Sequence, residues 1–335
     1  MSKELVEVAG MLRGFALNQI VASAARVDLF GAICAGPTST EALSAAVGLP
    51  ERSVQMLVAV LTGLDLCRVH DGEVSATGLT PLLAKDGGQM HGQALLCADE
   101  YYKTWGELDA TLRTGESAFR RVYGTDMWSY LDSNPDALAQ FSRTMSAGSD
   151  AAADRIIDAY PFGDHTVVVD IGAGDGTFLW RLLTRQPTMR GIAVELPAQA
   201  AEARRKLEGA GLDGRGAVLD ADAFTDELPE SELYVLKGVL HNWADEAAVR
   251  LLRALRAASP NGRVLVVERL SGADLSSVTM HGAINSLTMS LLFGAAERTA
   301  DQYVHLLASA GYSARVEAEL DGNMALMSGD PIPAV

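Results

Sequence analysis

Apolar residues recur at helical spacing through the first ninety positions. Residues 13–30 are rich in apolar helix formers and run to Asp28-Leu29-Phe30-Gly31, which predicts one helix. Thr38-Ser-Thr-Glu41 reads as a capping box, with a hydroxyl at the N-cap and Glu41 reaching back. Val54, Leu57, Val58, Leu61 and Leu64 mark one face of a helix over 51–64. Arg68-Val-His-Asp-Gly-Glu-Val74 then reads as strand, Asp-Gly turn, strand. Short helices, a longer helix and a hairpin give the outline of a winged helix. Residues 95–160 read as connecting helices, with Trp105, Phe119, Trp128, Phe141 and Met145 on apolar faces.

From Thr166 the texture changes. Strand-like runs at 166–171, 192–196, 217–219, 233–236 and 263–268 alternate with helical ones near 177–185, 198–209 and 245–258. That alternation implies an α/β fold, a parallel sheet with helices on both faces. Runs at 312–318 and 323–328 add a hairpin at the sheet edge. Three regions follow: 1–95 winged-helix-like, 96–160 connecting, and 161–335 an α/β domain.

The 335 residues carry 27 Lys+Arg against 43 Asp+Glu, a formal net charge of −16. A winged helix raises the question of DNA. Residues 1–90 hold six Lys/Arg and nine Asp/Glu, and the recognition-helix position offers only Arg52. Phosphate contacts need several cations on one face, so a nucleic-acid partner is not expected. Cys34, Cys67 and Cys97 are odd in number, far apart and in no CxxC pattern. Neither a disulfide framework nor a metal site is expected, and a reducing cytoplasm fits best. The acidic start Met1-Ser-Lys-Glu-Leu-Val-Glu-Val lacks the features of a signal peptide. Leu275–Ala296 is the one uncharged stretch of membrane-spanning length, but eight of its residues are polar. It reads as a buried helix with a polar face, and no membrane association is expected.

The strongest single signal is Val167-Val-Val-Asp170-Ile-Gly172-Ala-Gly174-Asp-Gly176-Thr-Phe. It is a buried strand, a glycine-rich turn and a helix start. A ligand in such a sheet sits at the carboxyl ends of the strands, where glycines let the backbone approach it. The spacing is G-x-G-x-G led by an acid, not the G-x-G-x-x-G of a dinucleotide site. An acid with no basic residue in the loop suits a cationic or amino-bearing ligand better than a pyrophosphate. This resembles the first motif of S-adenosyl-L-methionine (SAM) dependent methyltransferases. The resemblance implies that Asp170, Gly172, Gly174 and Gly176 hold SAM and that Glu195, ending the second strand, accepts the ribose hydroxyls. It also implies that Asp222, with Ala223 and Phe224, meets the adenine after the third strand.

The next signal is Leu236-Lys237-Gly-Val-Leu-His241-Asn242-Trp243, straight after the fourth strand. Glu268 ends the fifth strand, and Glu297 lies in Gly294-Ala-Ala-Glu297-Arg-Thr299. These pieces closely resemble small-molecule O-methyltransferases of the plant caffeate and isoflavone type and their bacterial natural-product counterparts. Val27-Asp-Leu-Phe30, Leu112-Arg-Thr-Gly115 and Phe141-Ser-Arg-Thr-Met145 extend the match over nearly the whole chain. The resemblance implies a Rossmann-like SAM-binding domain behind a winged-helix-like domain that builds an intertwined homodimer. It implies His241 as general base toward a small aromatic hydroxyl, with Glu268 and Glu297 flanking it and S-adenosylhomocysteine as product. Which glutamate bonds the ring stays open.

Lys237, one helical turn before His241, matches a cofactor contact in that family. Trp243 is a candidate to pack on the adenine or in the core, and Ser149 to touch the cofactor carboxylate. Trp105, Phe141, Met145, Asn242, Asn285, Met289 and Phe293 are the acceptor-pocket candidates. Two positions depart from the family pattern. Asn242 stands where relatives usually have Asp, and Gly-Ala-Ala precedes Glu297 where relatives often have Gly-Gly and a polar residue. Three alternatives frame the reading. A SAM-binding relative doing decarboxylation, hydroxylation or a pericyclic step would usually lack the histidine. A SAM-sensing winged-helix regulator conflicts with the charge of residues 1–90, and an NAD-linked oxidoreductase with the glycine spacing.

Overall fold

The computed structural model describes residues 2–212, 214–272, 278–320 and 323–333. They form two compact units that are not contiguous in sequence: 1–103 with 134–147, and 104–133 with 148–335. The segment 96–160, expected as one connecting region, is therefore divided between them.

In the first unit the expected helix over 13–30 is broken. Helices Lys3–Leu12 and Gly14–Arg26 precede a separate helix, Leu29–Cys34. Asp28 makes the break, because its backbone is left-handed (φ 54°) and its carboxylate accepts the Gly31 N–H to cap the next helix. The capping box also shifts. Ser39, not Thr38, is the N-cap of helix Thr40–Val47, and Glu41 simply lies in the first turn. Both residues lie in β1 (Thr38–Ser39), which pairs with β3 (Glu73–Ser75), and Ser39, the one adjoining the helix, accepts the Ala42 N–H at 3.2 Å. The hairpin forms as read, with β2 (Arg68–His70) against β3 across Asp71 (φ 50°) and Gly72 (φ 82°). Leu29, Phe30, Ile33, Leu43, Val54, Val58, Leu61 and Val74 close the core of this winged helix.

The second unit is built on a seven-stranded sheet. Its strands are β4 (Val167–Ile171), β5 (Arg190–Glu195), β6 (Gly216–Asp220), β7 (Leu233–Lys237), β8 (Arg263–Arg269), β9 (Tyr312–Leu320) and β10 (Met324–Pro331), in the order β6-β5-β4-β7-β8-β10-β9. β4 to β8 run parallel, and β10 lies antiparallel between β8 and β9. Alternate residues of the buried strands face opposite layers. Val168, Leu233, Val235 and Leu265 pack with helix Thr177–Arg185, whereas Val169, Tyr234, Leu236 and Val264 pack with helices Asp245–Ala258 and Ala300–Ser309. The chain leaves β4 toward β5 and β6, then returns on the other side at β7. The strand order thus reverses between β4 and β7, and loops after those two strands flank a ligand-binding crevice in such sheets.

The uncharged stretch 275–296 forms a helix only over Met280–Phe293, and residues 275–277 lie outside the described ones. That helix is not buried as expected: Thr288, Leu291 and Leu292 are covered, but Met280 and Ile284 are exposed. Among the described residues no single helix is long and apolar enough to cross a membrane.

Candidate active site

The loop after β4 is built by three glycines in the left-handed region, Gly172 (φ 66°), Gly174 (φ 59°) and Gly176 (φ 74°). Asp170 is 1% exposed and its Oδ2 has no hydrogen-bond partner among the described residues. Burial pushes its carboxyl up to about 7; the neighbouring Glu195 and Asp175 add to this and Lys237 opposes it. A buried, unpartnered acid at the strand end is a place prepared for a cation. Glu195 closes the loop from β5. Its Oε2 accepts the Gly174 N–H at 2.7 Å and its Oε1 the Leu196 N–H at 2.8 Å. Burial still raises its carboxyl, against those two bonds. Each oxygen keeps a lone pair for a further donor, such as a hydroxyl.

After β6, Asp222 accepts the Phe224 N–H at 2.9 Å and donates its own N–H to Asp226. Phe224 meets Trp243 edge-on, with centroids 4.5 Å apart, and both lean on the core of the sheet layer. Trp243 therefore serves the core and borders the Asp222 loop at once. Ala223 is half-buried beside them. Ser149 opens helix Ser149–Ala159, whose Asp154 and Asp158 pair with Arg181 and Arg185 of the helix that follows the glycine loop. Lys206 also holds that loop, bonding Asp175 and Thr177; a lone lysine in a helix carries no local sequence signal of this role.

Lys237 does not stand a helical turn before His241. It ends β7, and Gly238 (φ 67°) breaks away before the short 3-10 turn Leu240–Asn242. Lys237 is half-buried and its charge acts on Asp170. Asn242 donates to the Gly238 carbonyl at 3.3 Å and so folds the turn on itself.

His241 meets Glu268. The β7–β8 register pairs Lys237 with Val267, so the next residue, Glu268, lies under the start of the turn. Its Oε1 accepts the N–H groups of Val239 (2.9 Å), Leu240 (2.7 Å) and His241 (3.3 Å). Its Oε2 stands 3.6 Å from His241 Nδ1. The Glu268 side chain is fully buried, whereas the imidazole is 19% exposed with Nδ1 on its buried edge. Glu297 is the second neighbour. It is 8% exposed, burial raises its carboxyl, and His241 and Arg269 oppose that shift.

The helix Met280–Phe293 packs against the His241 turn and carries Asn285, Met289 and Phe293, all half-buried. Asn285 Nδ2 donates to His281 Nε2 at 3.2 Å, and Phe293 stacks on Trp128 with centroids 5.4 Å apart. Trp105 ends helix Glu100–Trp105, half-buried. Phe141 (buried) and Met145 (exposed) belong to the first unit, on helix Pro135–Ser146. They are not among the residues gathered around His241 within the second unit. Arg298, absent from the sequence-based set, is bonded to the turn itself.

Residues 105–313 match the O-methyltransferase domain family. The chain is 29% identical over 327 residues to a phenazine O-methyltransferase of Lysobacter antibioticus, covering 96% of this chain and 95% of that one. A solved mitomycin 7-O-methyltransferase superposes with TM-score 0.90 at 28% identity over 98% of each chain. An O-methyltransferase from neocarzinostatin biosynthesis, solved with S-adenosyl-L-homocysteine and 1,4-dihydroxy-2-naphthoic acid, superposes with TM-score 0.81 at 28% identity over 94% of this chain and 96% of that one.

Proposed function

This chain belongs to the O-methyltransferase domain family, and from that premise we propose that its acceptor is a planar aromatic hydroxyl whose proton His241 removes. The enzyme is a SAM-dependent O-methyltransferase. SAM, when bound, supplies an electrophilic methyl group. The residues present fit it: a buried unpartnered carboxylate oxygen at Asp170, a backbone loop of three left-handed glycines, and Glu195 and Asp222 with acceptor capacity on the neighbouring strand ends.

The observation that carries the reading is the His241–Glu268 arrangement beside that loop. A phenol of pKa about 10 keeps its proton against an imidazole of about 6.5 until attack begins; as the oxygen's bond to the methyl carbon forms the hydroxyl turns acidic, and the ring takes the proton in the same step. Glu268 Oε2, 3.6 Å from Nδ1, favours by its charge the tautomer protonated there, which leaves Nε2 free to accept, and it stabilises the imidazolium. Asn285, Met289 and the Phe293–Trp128 pair suit a flat ring with polar substituents. The naphthoic acid bound by the neocarzinostatin-pathway relative is of that kind.

We assign a second copy of the chain to the N-terminal helices. Leu5, Val6, Val8, Met11, Leu12 and Phe15 leave an apolar surface exposed there, as an intertwined dimer requires. Three free cysteines suit a reducing cytoplasm. Sedimentation of a Met11→Asp/Phe15→Asp variant tests the dimer; a parent already monomeric at micromolar concentration rejects it.

The reaction is tested with methyl-deuterated SAM and a panel of phenols, naphthols and hydroxybenzoic acids, following product mass and S-adenosylhomocysteine together. Labelled methyl ether from the parent, with kcat about 10²–10⁴-fold lower for His241→Ala, supports the reading. Equal rates from both proteins reject His241 as base.

A further inference from the structure

Arg298 is nearly buried, with 9% of its side chain exposed, and it donates four hydrogen bonds to the segment 240–245. Nη1 donates to the Leu240 carbonyl at 3.0 Å and Nη2 to the Trp243 carbonyl at 2.6 Å. Nε and Nη2 both reach Asp245 Oδ1, at 2.9 and 2.7 Å. The guanidinium also lies over the Tyr303 ring, 5.8 Å from its centroid. Its fork thus spans the two residues that bracket His241 and Asn242. Glu268 holds the N–H groups of the same turn from the opposite side. Arg298 itself is anchored beside the end of β8, bridged to Leu270, with its carbonyl accepting the Ser271 N–H at 2.9 Å. Successive side chains on an extended segment point to opposite sides. Glu297 is therefore directed to His241 while Arg298 is directed to the backbone beneath it.

We propose that Arg298 is a positioning residue for the base: it fixes the turn Leu240–Trp243 so that the His241 ring stays registered against Glu268 and the acceptor. The inference rests on His241 acting as base. A planar fork with donors in fixed directions is suited to two carbonyls and a carboxylate at once, and an ammonium is not. A displacement of about 1 Å at a reacting group is enough to cost about 10²-fold in rate.

The test uses the full-length protein and the panel phenol that the parent methylates fastest. Arg298→Met should lower kcat about 10–100-fold with KM for SAM within about threefold of the parent. Arg298→Lys should recover only part of the loss. Asp245 and Arg298 both line a cleft of about 470 Å³, which gives small cations a route to the site. Millimolar methylguanidine should therefore restore turnover to Arg298→Ala. The double variant His241→Ala/Arg298→Met should be no slower than His241→Ala alone, because the arginine acts through the histidine.

Losses that multiply in the double variant, an Arg298→Met enzyme as fast as the parent, or equal losses of kcat and SAM affinity with a collapsed Tm would each overturn the proposal and leave His241 as base. A fully active His241→Ala would overturn the base reading and this inference with it.

Discussion

His241 Nδ1 and Glu268 Oε2 stand 3.6 Å apart, and among the described residues neither has a hydrogen-bond partner. The other oxygen of the same carboxylate is fully engaged by three backbone N–H groups. Glu268 thus has two tasks on two atoms, and they can be separated. Glu268→Gln keeps an oxygen for the turn and turns an N–H toward Nδ1. That favours the tautomer with the proton on Nε2, the wrong one for a base. Measured kcat should fall about 10²–10⁴-fold with little change in Tm, on the precedent of a buried Asp→Asn change behind a catalytic histidine. Glu268→Ala should instead destabilise the fold, by about 1–3 kcal/mol for each N–H left unpaired. A fully active Glu268→Gln enzyme would remove this carboxylate from the catalytic account.

Glu297 should behave differently. Its carboxyl is raised chiefly by burial, with His241 opposing the shift by its charge. Glu297→Gln relieves that burial cost, so Tm should hold or rise. Its kcat should fall by less than that of Glu268→Gln, because the tautomer is unaffected. Rates of the two variants on one acceptor decide the order, and a larger loss at Glu297 would reverse the assignment.

Asp170 should make cofactor binding depend on pH. Its carboxyl is pushed up to about 7 from the ordinary 3.8. Between those values the folded protein keeps this proton and the unfolded chain does not. The group's contribution therefore favours folding at low pH and is lost as pH rises toward 7, on the order of 4 kcal/mol in all. A cation bound beside it favours the carboxylate, so SAM binding should release a proton below pH 7. Affinity should rise by up to about tenfold per pH unit and level off above 7. Calorimetry in buffers of different ionisation heat counts the proton. Asp170→Asn should weaken binding and flatten the profile; an unchanged profile would assign the proton elsewhere.

The loop glycines should divide by consequence. Gly172 and Gly174 are both left-handed, so an added Cβ is strained at either position. At Gly174 the Cβ meets nothing within 4 Å, and Gly174→Ala should cost about tenfold in SAM affinity with kcat little changed. At Gly172 it meets Val239 Cγ2 at 2.9 Å, and Val239 opens the His241 turn. Gly172→Ala should therefore lower kcat as well as affinity. Equal kcat losses in both variants would show that the two loops are not coupled through Val239.

Local patterns were legible in the sequence. The alternation from Thr166 onward gives β4 to β8 and their helices, since side-chain period depends only on neighbours along the chain. Asp170 with its glycines and the His241 turn were likewise visible, because each is one contiguous run ending a strand. Where local rules compete, they failed. Thr38 fits the cap pattern as well as Ser39 does, yet the helix starts one residue later and Ser39 caps it. Residues 134–147 looked like part of one connecting region, yet they cluster with the first unit.

The sequence by itself determined the chemistry available: a buried acid before a glycine loop, a histidine after a strand, and two glutamates downstream. Only the tertiary structure decided their partnership. The parallel register of β7 and β8 brings Glu268 beneath the histidine turn, and an extended segment after Gly294 delivers Arg298 to its carbonyls. Those contacts join residues 27 and 58 positions apart. No periodicity along the chain encodes which of two nearby carboxylates will lie against the imidazole, because that distance is set by the pairing of strands and not by spacing in sequence.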